Sequence, residues 1–165
     1  MKRIQIISVL LFLSLLSFAQ KKKEIKKLGI RSITATETAG GKTITDNKTV
    51  YDANGEISEE INYNKEGKLK STIKYKYNKD GDPVEENEFD ENNQLKEKRI
   101  IKYNALGEKV EETAFDKDNK QIKKSTYTYD IKGLKTEKKT YDAGNNLIST
   151  KKYTYTYKLN KTEND

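Results

Sequence analysis

Tyr51-Asp52-Ala53-Asn54-Gly55 is the stretch on which the whole sequence turns. An aromatic residue, Asp or Asn, two spacers and then Gly or Asn recur at Tyr63–Gly67, Tyr77–Gly81, Phe89–Asn93, Tyr103–Gly107, Phe115–Asn119, Tyr129–Gly133 and Tyr141–Asn145. The steps alternate between 12 and 14 residues, so the true period is 26. A fixed period of this size marks a repeat architecture in which each copy is one supersecondary unit. Asx at the first turn position bonds its own backbone, and Gly or Asn at the fourth accepts positive φ and closes a bulged hairpin. Where Gly is missing, Asn93, Asn119 or Asn145 stands in its place, the next residue best suited to the left-handed region.

The segments between the turns read as strands. Leu69, Ser71, Ile73, Tyr75 and Tyr77 alternate with Lys70, Thr72, Lys74 and Lys76, the period-two pattern of a half-buried strand. The turns then set the register: Tyr51 opposite Ile57, Tyr63 opposite Leu69, Phe89 opposite Leu95 and Tyr141 opposite Leu147. Even steps pair odd residues with odd residues. All 11 tyrosines are odd-numbered, as are Phe89 and Phe115, so one continuous aromatic face is expected. The same register predicts charge pairs Glu85–Arg99, Glu86–Lys98, Glu88–Lys96 and Glu112–Lys124.

The expected fold is all-β: an antiparallel β-meander of 26-residue strand-turn-strand repeats, a twisted or curled sheet with one aromatic face. Charged residues make up 36% of the 165, and there are too few aliphatics for a many-layered core. Residues 1–19 read as a signal peptide: Lys2 and Arg3, an apolar run from Ile4 to Phe18, and Ser17 and Ala19 before the cut. Residues 20–50 read as a basic linker (Lys21-Lys22-Lys23, Lys26-Lys27) and degenerate repeats, with Gly29 and Gly41 in the turn register. Residues 51–157 form the clear repeat domain, with Pro83 at a strand start, and 158–165 a polar tail. The protein is thus expected to be exported to the periplasm, cell surface or medium, and not to span a membrane once the leader is cleaved.

The absence of Cys and His removes thiol catalysis and the commonest acid–base group and metal ligand. Loss of Lys2 and Arg3 with the leader leaves 31 basic against 26 acidic residues, so the charge falls from +7 to +5. The two signs interleave, a poor match to the basic track that nucleic acid requires. Glu59, Glu85, Glu111 and Glu137 recur every 26 residues; paired carboxylates can run glycoside hydrolysis, but repetition favours ordinary solvated strand positions. The acidic turns at Asp52, Asp80-Gly81-Asp82 and Asp116–Asn119 resemble fragments of calcium loops without completing one. Asn47-Lys48-Thr49 and Asn160-Lys161-Thr162 match the glycosylation triplet. No catalytic residue, metal or cofactor is expected. The best binding candidate is the aromatic face, represented by Tyr75, Tyr127 and Tyr153, with polysaccharide or an envelope protein as the partner. The opposing reading makes that face the core.

The Tyr-Asp-x-x-Gly motif at Tyr51–Gly55 and Tyr129–Gly133 resembles the YD repeat of Rhs-like bacterial surface and toxin-delivery proteins. That resemblance covers residues 51–157 and implies a β-shell of strand-turn-strand repeats, carbohydrate-binding in some members. The chain also looks like the small exported β-repeat proteins of Bacteroidetes-type bacteria and, more distantly, MORN-like repeats. Two function classes follow: an exported envelope binding or adhesion module, glycan- or peptide-binding through its tyrosines, or a structural protein that assembles through its sheet edges.

Overall fold

The computed structural model describes residues 22–39 and 41–157; the expected signal peptide, the tail and the Asn160 triplet lie outside them. Ten strands follow residues 22–28, which are helical (α1): β1 (Ser32–Ala39), β2 (Lys42–Tyr51), β3 (Ile57–Tyr63), β4 (Leu69–Tyr77), β5 (Pro83–Asp90), β6 (Leu95–Tyr103), β7 (Lys109–Asp116), β8 (Gln121–Tyr129), β9 (Lys135–Asp142) and β10 (Leu147–Lys152). The strands follow one another in the sheet in chain order, the expected all-β meander. No described helix is long and apolar enough to cross a membrane. The chain divides into two compact units after Lys74.

The eight turns from β2 to β10 use one device. At Asp90 the side-chain Oδ1 accepts the amides of Asn92 and Gln94, both at 2.9 Å. The Asn93 amide donates to the Asp90 carbonyl at 3.0 Å, and the Asp90 amide to the Gln94 carbonyl at 2.9 Å. Asn93, Asn119 and Asn145 sit at φ 58, 59 and 64°, the positions that Gly fills in the other copies. One side chain thus satisfies the amides of a tight loop that water would otherwise have to reach.

The aromatic–aliphatic pairs form as expected: Tyr51–Ile57, Tyr63–Leu69, Phe89–Leu95 and Tyr141–Leu147. One residue further from each turn, the register slips. Tyr103 faces Lys109 but Lys102 faces Glu111, so Val110 is an extra residue on its strand. Equivalent slips flank Tyr51, Tyr63, Phe89, Phe115 and Tyr129. Beyond the slip, odd residues face even ones, which corrects the single aromatic face. Ile101 pairs with Glu112 and Glu112 with Ser125, so these lie on the side of Tyr127 and Tyr129. Phe115, opposite Lys98, and Tyr141, opposite Lys124, lie on the other side.

Most of the expected charge pairs move with the slip. Arg99 binds Glu86 at 3.2 Å rather than Glu85, and Lys124 binds Glu111 at 3.0 Å rather than Glu112. Glu86 and Lys98 no longer face each other, whereas Glu88–Lys96 forms at 2.8 Å.

In the first unit, α1 replaces the expected linker. The amides of Gly29 and Ile30 return to the carbonyls of Lys26 and Ile25, at 3.2 and 3.0 Å, with Gly29 at φ 65°. This is the glycine-capped end of a helix, so Gly29 is no degraded hairpin turn. Gly41, at φ 77°, does sit at the β1–β2 turn. Helix α1 buries Ile25 and packs against the turn at Gly55, while Lys22 reaches Glu56 at 2.5 Å.

In the second unit, burial concentrates on the face of Ile101, Ala114, Ser125 and Tyr127, which are 5, 2, 1 and 8% exposed. Ala114 and Ser125 are small, which suits the centre of a face crowded by longer neighbours. Tyr103, Tyr129 and Tyr155 each send the phenol hydroxyl to a main-chain carbonyl 20 residues back, that of Pro83, Lys109 and Lys135. Two of these distances are 2.8 Å and the first is 3.0 Å.

Candidate lysine–tyrosine site

Tyr75, Ile101, Tyr127 and Tyr153 occupy one repeat position at intervals of 26 residues. Ile101 breaks the series. Tyr75 therefore stands apart, its ring 6.4 Å from that of Tyr77. Tyr127 and Tyr153 are linked through Lys135, whose Nζ lies 4.8 Å from the first ring centroid and 5.8 Å from the second. The fold thus brings together two of the three candidate residues.

Further lysines converge on the same rings. Lys138, directly opposite Tyr127 on β9, lies 5.4 Å from its ring centroid, and Lys109 lies 5.2 Å away. Lys151, opposite Lys138 on β10, lies 5.3 Å from the Tyr153 centroid. Lys109 and Lys135 are the first residues of β7 and β9, ahead of the register slip, which carries them to the side of Tyr127. An ammonium over an aromatic face is worth about 0.5–1 kcal/mol at an exposed site.

One carboxylate serves this cluster. Glu112 Oε2 accepts from Lys109 Nζ and, at 3.3 Å, from the Tyr127 hydroxyl. Burial resists its ionisation, but the Lys109 hydrogen bond and the charges of Lys109, Lys138 and Arg99 outweigh burial and hold the carboxyl below its ordinary range. Burial, then the charge of Glu112, raises the Tyr127 phenol. Burial, then Lys109 and Lys138, pushes the Lys135 ammonium below its ordinary value. Among the described residues no carboxylate lies within ion-pair distance of Lys135, Lys138 or Lys151. The result is a crowded basic patch built on two tyrosines. Tyr127 is almost closed off beneath the lysines, so it is a support rather than an open stacking plane; Tyr153 is half-buried.

Sequence reading placed Glu112 opposite Lys124 and singled out none of Lys109, Lys135, Lys138 and Lys151. A signal existed: Lys recurs at the first strand position in the last two long repeats, where the preceding copy has Pro83. It was hidden because Lys109 and Lys135 share a face with Tyr127 only by way of the extra residue beside each turn.

The other candidates resolve into structural contacts. Glu85 meets Lys76 at 2.8 Å, Glu111 meets Lys102 and Lys124 at 2.7 and 3.0 Å, and Glu137 meets Lys139 at 2.9 Å. Glu59 lies 4.0 Å from Lys74. The lysine hydrogen bonds lower the Glu85 and Glu111 carboxyls. Asp52 Oδ1 and Asp116 Oδ1 in the turns that suggested calcium are occupied by amides, and no described group of three or more acidic residues is arranged to hold a metal. A cavity of about 800 Å³ between two turns is lined by Asn78, Asp80, Asp82, Ile101, Tyr103 and Asn104. Burial raises the phenol of Tyr103, one of the lining residues, to about 12.

No family model matches the sequence, and no curated protein does. Among solved structures, a porin-like protein from Bacteroides uniformis is 13% identical at a TM-score of 0.42, over 71% of this chain and 48% of its own. The chain therefore spans about half that protein's length. A protein of unknown function from Bacteroides fragilis is 16% identical at 0.41, over 77% of this chain and 95% of its own. TarM of S. aureus is 16% identical at 0.30, with only 22% of that chain covered. Likenesses this faint carry no functional argument.

Proposed function

We propose that this protein is an exported binding module of the cell envelope that holds a polysaccharide on the lysine–tyrosine patch of β7–β10. The proposal makes the chain a binding protein rather than an enzyme and keeps the YD-repeat likeness as its working family. The observation that carries it is Lys135 bridging the rings of Tyr127 and Tyr153. Amphipathic rings edged by hydrogen-bond donors suit sugar, which presents apolar ring faces and a rim of hydroxyls. The test is titration of the purified protein with oligosaccharide fractions, using Tyr153→Ser as the variant. Loss of binding with unchanged circular dichroism supports the reading; binding unaffected by the substitution overturns it.

A second reading has its own observation. Every residue of β10 is exposed, including Leu147 and Ile148, and β10 ends the strand order. An open edge of this kind can pair with another chain. In that case Ile148→Lys abolishes self-association in sedimentation and leaves the oligosaccharide titration untouched.

A further inference from the structure

We infer that the ligand of this patch is acidic, an oxyanion carried on a sugar ring and seated among Lys135, Lys138 and Lys151. The inference rests on the polysaccharide reading above and narrows its chemistry.

Four ammonium groups surround two rings, and among the described residues Glu112 compensates only one of them directly, Lys109. Elsewhere in this unit lysines meet carboxylates on neighbouring strands, as at Lys76–Glu85, Lys96–Glu88 and Lys102–Glu111. The chain therefore builds cross-strand ion pairs readily, and at Lys138 and Lys151 it places lysine opposite lysine instead. Like charges directly opposed destabilise a sheet. Burial adds to the cost at Lys135. A bound oxyanion removes both costs, because it supplies the missing counter-charge and acceptor lone pairs for several ammonium donors. The half-buried ring of Tyr153 adds an apolar surface that a free inorganic ion would not use, which favours an anion attached to a sugar.

The patch is also too short for a nucleic-acid track. On the same face Arg99 is already bound by Glu86 and Glu97, and Asp142 lies opposite Lys123. A strand of phosphates needs a basic groove that follows it over several nucleotides.

The experiment compares four probes on the purified protein: oligogalacturonate, the same oligomer with its carboxyls reduced, a sulfated oligosaccharide and an oligo(dT) strand. The expected result is at least about tenfold tighter binding of one acidic oligosaccharide than of the reduced one, equivalent to one good charge-assisted contact. The uronate and sulfate arms distinguish the two sources of the oxyanion. The double variant Lys135→Gln, Lys138→Gln abolishes the preference for the acidic oligomer over the reduced one and keeps the circular dichroism of the parent. Equal binding of acidic and reduced oligomers overturns the inference and leaves the polysaccharide reading standing. Binding of no oligosaccharide at all overturns both. Tighter binding of oligo(dT) than of either acidic sugar overturns the inference in favour of a phosphate polymer.

Discussion

The hydroxyl of Tyr129, at the end of β8, donates to the main-chain carbonyl of Lys109, the first residue of β7, at 2.8 Å. Tyr103 and Tyr155 repeat the contact with Pro83 and Lys135. Tyr103 and Tyr129 therefore tie the ends of β6 and β8 to the starts of β5 and β7, and Tyr155, just past β10, ties back to the start of β9. The carbonyls of Lys109 and Lys135 lie where the register slips and the ladder is locally irregular.

Removing one tie weakens the unit without unfolding it. Tyr129→Phe deletes the hydroxyl and leaves the ring, so it is expected to cost about 1 kcal/mol, the net worth of one hydrogen bond. Tyr141→Phe is the matched control, and it leaves the urea midpoint unchanged. Equal losses in the two variants would mean that the tie contributes nothing.

The same phenols set an alkaline limit. Tyr103 is raised from its ordinary 10.0 to about 12. Its neutral form is favoured in the folded chain, so the stabilisation is complete below pH 10 and disappears as pH rises through about 12. Urea midpoints recorded across this window should fall, and fall less in Tyr103→Phe. A midpoint that is flat through pH 12 contradicts this.

The turns can be tested at one position from both directions. Asn119 holds φ 59°, and Asp116 Oδ1 accepts the amides of Asp118 and Lys120. Asn119→Gly relieves the backbone and is expected to raise stability, whereas Asn119→Val costs about 1–2 kcal/mol, because a β-branched residue resists the left-handed region. Thermal melts of the two variants must move in opposite directions.

Two glycines separate turn strain from helix docking. Gly55 and Gly67 share nearly the same φ, 79 and 78°. A Cβ at Gly67 meets nothing within 4 Å, but one at Gly55 would lie 2.7 Å from the Lys22 carbonyl oxygen. Gly67→Ala therefore pays the backbone strain alone, about 1 kcal/mol. Gly55→Ala pays the same strain and also displaces α1. Limited proteolysis at Lys26 and Lys27 should accelerate in Gly55→Ala only.

Much of the fold was legible at particular residues. The Asx and Gly or Asn positions located the eight turns, because a tight loop with positive φ admits few residue types. Tyr63–Leu69 and Phe89–Leu95 followed from the turn geometry alone. Gly29 was misread, because a glycine at positive φ serves a helix end as well as a hairpin, and the surrounding residues 22–28 are lysine-rich either way.

From the sequence alone came the period, the turns, the strand order and the expectation that tyrosines matter. These depend on local backbone chemistry, which each copy repeats within a few residues. The tertiary structure decided which tyrosines meet. An extra residue beside a turn, such as Val110, reverses the parity of every pairing beyond it, sending Phe115 to one side of the sheet and Tyr127 to the other. It also swings Lys109 and Lys135 onto the rings. A shift of one residue exchanges the faces of a strand, and no spacing of aromatics along the chain reveals whether that shift has been made.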